Sequence, residues 1–318
     1  MKQSKIILAV LMAVAASTLS AKTKIVATIF PEYDWTRAIL DEKSADAELT
    51  LLLDSGTDLH SFQPTVKDMA KIGDADIFIY VGGESDQWVS GVLKNVASKN
   101  LTTINLLESL GSLAREEELV DGMEAEHDDD DEEEDEEEIE YDEHVWLSLK
   151  NAKILCGVIA DALCQKDAKN AAAYRANLAA YTAQLEALDA AYEKAVSTAE
   201  KKLMFFGDRF PFRYLADDYG IKYYAAFSGC SAETEASFKT VAFLAERLKE
   251  NDLTAVLQIE KSSGKLPAAI IRTSRKKNVR ILTMDSMQAT TMREIRAGAT
   301  YLGAMQKNLE TLTSALNR

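Results

Sequence analysis

Cysteine is scarce in this chain, with only Cys156, Cys164 and Cys230 among 318 residues. An odd count argues against a scaffold built on disulfides. Cys156 and Cys164 lie eight residues apart on one predicted helix, or about 12 Å along its axis, which is too far for a disulfide between them. We interpret the cysteines as small apolar residues of the interior, and a bridge from Cys156 or Cys164 to Cys230 stays open.

Long apolar segments are missing beyond the N-terminus. Residues 6–16 are apolar, follow Lys2 and Lys5, and lead into small polar residues up to Ala21. This pattern is typical of a secretory signal peptide, and the run is shorter than the roughly 20 apolar residues of a membrane helix. No cysteine follows it, so a lipid anchor is not indicated. We therefore predict a signal peptide at 1–21 and a periplasmic or otherwise extracytoplasmic protein.

Positive charge is in deficit, because 36 Lys and Arg face 52 Asp and Glu. Fourteen of the acidic residues fall between 124 and 140. Such a tract, taken as 116–140, repels itself and cannot bury apolar area, so we predict a surface loop and interpret His127 within it as solvated. The remainder is only mildly acidic, and nucleic acid and anionic membranes are not expected partners.

Strand-like and helix-like segments alternate on both sides of this tract. Apolar, β-branched runs at 24–30, 49–53 and 75–81 are separated by helical patterns, and the alternation restarts after a long alanine-rich helical segment at 167–201. We predict an α/β fold of two α/β lobes with parallel sheets, joined by one long interlobe helix with a cleft between the lobes. The predicted boundaries are 22–147 for the N-terminal lobe, 148–201 for the helical segment and 202–318 for the C-terminal lobe.

Histidine is as scarce as cysteine, yet two of the three histidines stand beside turn residues and carboxylates. His60 lies in the segment DLHSFQP at 58–64, after the second predicted strand, and His144 lies in EHVWLS at 143–148. Imidazole nitrogen combined with carboxylate oxygen suits zinc, manganese or iron. The pattern therefore predicts a metal site built from distant parts of the chain. The alternative is that each histidine only caps a turn.

These two segments resemble those of the substrate-binding proteins of zinc and manganese ABC importers, the cluster A-I or cluster 9 family. The resemblance covers essentially the whole chain after residue 21. It implies His60 and His144 as the first two metal ligands and Asp285, in LTMD at 282–285, as the fourth. A helix-capping role for Asp285 is the competing interpretation. The resemblance also implies Zn²⁺ or Mn²⁺ as the ligand and an ABC permease as the partner.

The third ligand departs from the family pattern. Family members carry His or Glu in a segment resembling FGDRFPFRY at 206–214, where the matching position here is Gly207. Asp208 is the predicted replacement, although a structural salt bridge between Asp208 and a nearby arginine competes with that role. The fallback ligands are Glu233, Glu235 and Glu260.

The sequence thus predicts an exported, monomeric receptor that captures Zn²⁺, with Mn²⁺ as the alternative, and performs no catalysis. Two other classes stay open. A metal-dependent hydrolase would also combine two histidines with carboxylates, but no H-E-x-x-H pattern is present. A surface adhesin is suggested only by the acidic tract.

Overall fold

The computed structural model describes residues 22–41, 47–96, 100–123, 140–231 and 236–317. The predicted signal peptide, His127 and the fallback ligands Glu233 and Glu235 lie outside these ranges. Within them the chain is a mixed α/β protein whose sheets are parallel, which confirms the predicted fold class. The helices of the described ranges include none that is long and apolar enough to cross a membrane.

The N-terminal lobe is built on one parallel sheet of four strands in the order β2-β1-β3-β4. Ile25 of the central β1 lies opposite Leu49 and Ile77, and its apolar run is buried because helices cover both faces. The fourth strand escaped prediction because its sequence, TTIN, is short and largely polar. The strands are β1 Thr23–Ala27, β2 Ala47–Leu51, β3 Ile77–Tyr80 and β4 Thr102–Asn105, and the helices are α1 Phe30–Leu40, α2 Val66–Gly73, α3 Trp88–Asn95 and α4 Leu106–Leu110.

Two helices follow the acidic tract, α5 Leu149–Lys166 and α6 Ala171–Ser197. The 27 residues of α6 span about 40 Å. A turn separates the helices, because the Asp167 carboxylate accepts hydrogen bonds from Asn170 and from the Tyr174 hydroxyl, at 2.7 and 2.8 Å. Helix α6 packs on α1 of the N-terminal lobe and on α11, Tyr301–Leu316, of the C-terminal lobe. It is the long helix that the sequence predicts between the lobes.

The C-terminal lobe repeats the parallel arrangement with shorter strands. Three parallel pairs form, β5 with β7, β6 with β8 and β9 with β10, and a bridge from Phe206 to Leu257 joins the first pair to the third. The two-residue strands β6 and β8 were not predicted, since a run this short has no readable period. The strands are β5 Leu203–Phe205, β6 Arg209–Phe210, β7 Lys222–Tyr224, β8 Phe227–Ser228, β9 Ala255–Ile259 and β10 Arg280–Met284, and the other helices are α7 Arg213–Tyr219, α8 Phe238–Glu250, α9 Lys265–Ser274 and α10 Met292–Arg296.

The lobes share one hydrophobic core, which runs from the first sheet through α5 and α6 to α11, while a smaller cluster around Phe205 and Leu244 belongs to the C-terminal lobe alone. Cys156 and Cys164 are buried in α5, and all three cysteines are free thiols. Trp146 adds a polar link, since its indole N–H donates to the Ser286 carbonyl at 2.8 Å. The cleft therefore has two walls that a continuous core holds together.

The acidic tract is anchored at both of its described ends. Glu116 forms an antiparallel bridge with Tyr141, and the Glu117 N–H donates to the Glu140 carbonyl at 2.8 Å. Glu118 pairs with Arg213 of the C-terminal lobe at 3.3 Å. The first residues of the predicted surface loop over 116–140 therefore bind to the fold.

Candidate metal site

His60 is held by the turn that carries it. The residue lies in a 3₁₀ turn, Leu59–Ser61, and the Asp58 carboxylate caps the turn by accepting the His60 N–H at 3.1 Å. Leu59 is buried in the core and pins the turn. The ring Nδ1 lies 2.7 Å from the Ser85 hydroxyl and 3.5 Å from a Glu143 carboxylate oxygen. These contacts leave Nε2 pointing into the cleft.

His144 is fully buried and is oriented by a carboxylate two residues earlier. One Asp142 oxygen accepts both the His144 backbone N–H, at 2.8 Å, and the ring Nδ1–H, at 2.9 Å. The following 3₁₀ turn, Val145–Leu147, is buried throughout and anchors the segment. A carboxylate bound to Nδ1 fixes the tautomer and raises the basicity of Nε2, as it does for metal-binding imidazoles.

The two imidazoles face each other with their Nε2 atoms 3.2 Å apart. Two nitrogens bound at 2.0–2.1 Å to one tetrahedral ion would be about 3.3–3.4 Å apart. Burial, with a contribution from His144, lowers the pKa of His60 to about 3, so its ring is neutral near pH 7 and its lone pair is free to bind a metal. The spacing and charge state both fit two ligands of one ion.

Gln288 of the C-terminal lobe lies against both rings. Its side-chain amide nitrogen is 3.1 Å from Nε2 of His60 and also hydrogen-bonds Nε2 of His144. The amide nitrogen can only donate, so both Nε2 atoms act as acceptors and both Nδ1 atoms carry the protons. Gln288 is buried. Nothing in its local sequence distinguishes it, and the sequence prediction did not include it.

Cys230 completes the cluster. Among the described residues, His60, His144 and Cys230 form the one group of His, Cys, Asp or Glu whose ligand atoms all lie within 4.8 Å of one another. A Cβ placed on the preceding Gly229 would come within 2.9 Å of the His144 ring, so a glycine is required for the chain to pass this close. The sequence prediction did not include Cys230 in the site, although its position after a predicted strand was a usable signal.

Asp208 does not join this group in the described conformation. Its carboxylate accepts the backbone N–H of Arg209 at 2.9 Å and that of a β9 residue at 3.3 Å. A Cβ placed on Gly207 would point into the interior of the C-terminal lobe, 3.0 Å from atoms of Val256 and Pro267. The Arg209 guanidinium pairs with Asp58, so the competing salt bridge to Asp208 does not form there.

Asp285 and Glu260 also lie outside the group. One Asp285 oxygen accepts the Met287 N–H at 2.9 Å. Glu260 accepts the N–H and the hydroxyl of Ser286 at 2.7 and 2.6 Å, and burial beside Asp285 raises its pKa to about 7. Both carboxylates line a separate cavity of about 500 Å³. Reaching the imidazoles from there requires the loop after β10 to move.

A cavity of about 340 Å³ opens onto His60 and Cys230. The bridge that joins Glu116 to Tyr141 places both ends of the acidic tract at its rim. Carboxylates that converge on one cavity raise the local concentration of cations. Four glutamates line it, namely Glu84, Glu117, Glu140 and Glu143.

Two parallel α/β lobes on a long shared helix, with paired imidazoles in the cleft, define a protein that binds its ligand between lobes. The family described as zinc-uptake complex component A, periplasmic (ZnuA) matches residues 25–315. The chain belongs to this family of solute-binding transport proteins, which confirms the resemblance seen in the sequence.

Several relatives show how far the similarity extends. Zinc-binding protein AdcA of Streptococcus pyogenes serotype M18 (strain MGAS8232) is 30% identical over 295 residues, covering 92% of this chain and 55% of the relative. The chain thus spans about half the length of such relatives. The high-affinity zinc uptake system protein ZnuA of Bacillus subtilis (strain 168) is 28% identical over 95% of this chain and 90% of its own. The crystal structure of the Zn(II)-bound ZnuA-like domain of Streptococcus pneumoniae AdcA superposes with a TM-score of 0.73 at 29% identity, covering 94% of this chain and all of that one.

Proposed function

We propose that this protein captures Zn²⁺ in the cleft between its lobes and delivers it to the permease of an ABC importer. The observation that carries the proposal is the 3.2 Å separation of the His60 and His144 Nε2 atoms, with each Nδ1 engaged by a neighbouring polar group. The relatives' descriptions as zinc-binding and zinc-uptake proteins support the choice of metal. The protein acts outside the cytoplasm as a monomer.

His60 and His144 are the ligands from the N-terminal lobe. Asp285 is the proposed oxygen ligand of the loaded form, because it lies on the same loop as Gln288, which already reaches both rings. Met287, between them, has a positive φ of 62°, and release of this strained backbone would accompany a loop shift. For the remaining position the sequence predicts Asp208, with Glu260 and Glu235 as the fallback ligands.

Zinc is favoured over manganese by the chemistry of the facing groups. Two imidazoles suit zinc, whereas manganese prefers a set of oxygen ligands, and the divalent affinity order also places zinc above manganese. Transport requires only reversible ligation, so we assign no catalytic step. Because both lobes pack on α6 and share a core, capture and release require only small movements of the lobes and loops.

Removal of each histidine in turn tests the function. We expect the protein from residue 22 onward, stripped of metal, to bind one Zn²⁺ tightly in competition with a chromophoric chelator. His60→Ala and His144→Ala should each weaken binding by more than about 100-fold, since loss of an outer-shell partner alone reaches 10- to 100-fold. His127→Ala, the third histidine, is the matched control and should bind like the wild type. Unchanged affinity in both cleft variants would contradict the proposal.

A further inference from the structure

We propose that the thiolate of Cys230 is a direct ligand of the captured ion and supplies the third protein ligand, for which the sequence offers no histidine. The inference rests on the proposed function and concerns the same site. It assigns the C-terminal lobe a sulfur ligand facing the two imidazoles of the N-terminal lobe.

The Cys230 sulfur lies at nearly the distance from the two imidazoles that two ligands of one metal ion would have. The Cys230 Sγ lies within 4.8 Å of a ring nitrogen of both His60 and His144. Ligands of one tetrahedral zinc ion, with bonds of 2.3 Å to sulfur and 2.0–2.1 Å to nitrogen, would be about 3.6 Å apart. A side-chain movement of about 1 Å is enough to close this difference.

The backbone around Cys230 is built to hold it there. Gly229 packs against the His144 ring so closely that any larger residue would collide with it. The Cys230 N–H donates to a Glu117 carboxylate at 3.4 Å. On the other side, Arg209 donates to the Ser231 carbonyl at 3.1 Å. The thiol is therefore fixed on both flanks at the edge of the cleft.

The other two cysteines differ from Cys230, because they have only a packing role. Cys156 is fully buried and Cys164 is 8% exposed, both inside α5, and neither belongs to the metal-ligating group. Cys230 lines the cavity that opens onto His60. A cysteine that only fills the core would be surrounded by apolar side chains, whereas Cys230 faces a polar cavity lined by glutamates.

Sulfur at this position would make the site selective for zinc over manganese. Thiolate is a soft ligand that suits zinc, whereas manganese prefers carboxylate, carbonyl and water oxygens. A His₂Cys set therefore discriminates against manganese more strongly than the two-histidine, two-carboxylate set expected from the sequence. Cys230 would therefore help to determine the specificity of this protein for zinc over manganese.

Spectroscopy of the unmutated protein tests the bond directly. Loaded with Co²⁺ alone, the protein should show an intense near-ultraviolet sulfur-to-cobalt charge-transfer band. Zinc-edge X-ray absorption of the zinc-loaded protein should show a sulfur shell at about 2.3 Å. Absence of both signals would overturn the proposal without any question of misfolding.

Substitution then separates this inference from the function on which it rests. Cys230→Ser should lose the cobalt band and weaken Zn²⁺ by at least about 10- to 100-fold, with little change in Mn²⁺ affinity, while Cys164→Ser, the matched control, should keep both properties. Circular dichroism and the melting temperature check the fold of each variant. If Cys230→Ser binds zinc normally while His60→Ala and His144→Ala do not, the thiolate ligand is refuted and the zinc receptor stands. If the histidine variants also bind normally, the proposed function itself fails.

Discussion

Arg209 of the C-terminal lobe donates to the Asp58 carboxylate at 2.8 Å, and this ion pair joins the two lobes next to the turn that carries His60. Asp58 also caps the turn that presents His60, and Arg209 also binds the carbonyl of Ser231, next to Cys230. Although burial opposes it, the Arg209 charge holds the pKa of Asp58 below its ordinary range. The pair therefore connects the turn that carries His60 to the segment that carries Cys230.

Breaking this link should weaken metal binding without unfolding the protein. We expect Arg209→Gln to reduce Zn²⁺ affinity by about 10-fold, in the range typical of residues that orient metal ligands. Competition with a chromophoric chelator measures the change. Arg213→Gln is the matched control, since Arg213 pairs with Glu118 and Asp217 away from the imidazoles, and its affinity should be unchanged. Equal affinities for the two variants would show that the Asp58 pair does not position the site.

The features that could be predicted from the sequence are those that depend on residues close together in the chain. The strand and helix alternation, the long helix and the two histidine segments follow from short stretches of chain, each with its own cap or turn residues. The approach of Gly229 to His144 joins segments 85 positions apart in the chain. No local period records such a contact, which is why Cys230 was interpreted as a packing residue and Gln288 was not considered.

Gln288 should act as a barrier to metal entry. Its amide hydrogen-bonds both Nε2 atoms, so it must leave before an ion can bind, and a binding-competent state that is only partly populated lowers the apparent affinity. We expect Gln288→Ala to speed Zn²⁺ association several-fold in stopped-flow measurements, with Gln184→Ala on the exposed face of α6 as control. Slower association would mean that the amide instead holds the rings in place for the ion.

Asp285→Ala probes the same loop from its other end. If the loop turns Asp285 toward the ion in the loaded form, the variant should lose about 10- to 100-fold in Zn²⁺ affinity while its association rate stays close to that of the wild type. Calorimetry measures the change in affinity and stopped-flow mixing the association rate, with the wild type and Gln288→Ala as references. Unchanged affinity would leave Asp285 as a residue of the neighbouring cavity, where its carboxylate caps the Met287 N–H.

Asp86 should make stability fall as pH rises. This buried carboxylate accepts the N–H groups of Val81 and Gly82 at 2.9 and 3.1 Å, and burial raises its pKa to about 6. Between the unfolded-state pKa of about 4 and the folded pKa, the native state binds more protons than the unfolded state, so the free energy of unfolding decreases with pH by up to about 3 kcal/mol. Asp86→Asn keeps an acceptor but carries no charge. Its stability relative to the wild type, from urea unfolding, should increase between pH 4 and pH 7, and a constant difference would contradict the assignment.

Replacing residues 124–139 by a short Gly-Ser linker should leave the fold and the tight site intact. The ends of the acidic tract are already joined by the bridge from Glu116 to Tyr141 and by the bond from Glu117 to Glu140, so the linker only has to close a loop whose entropic cost varies slowly with length. The melting temperature and calorimetric Zn²⁺ affinity should match the wild type, while weak extra cation binding is lost. Extending the deletion to begin at Glu116 provides the contrast, because it also removes the Glu117 carboxylate that accepts the Cys230 N–H. The longer deletion should therefore weaken zinc binding, and equal loss in both variants would show that residues 124–139 themselves support the site.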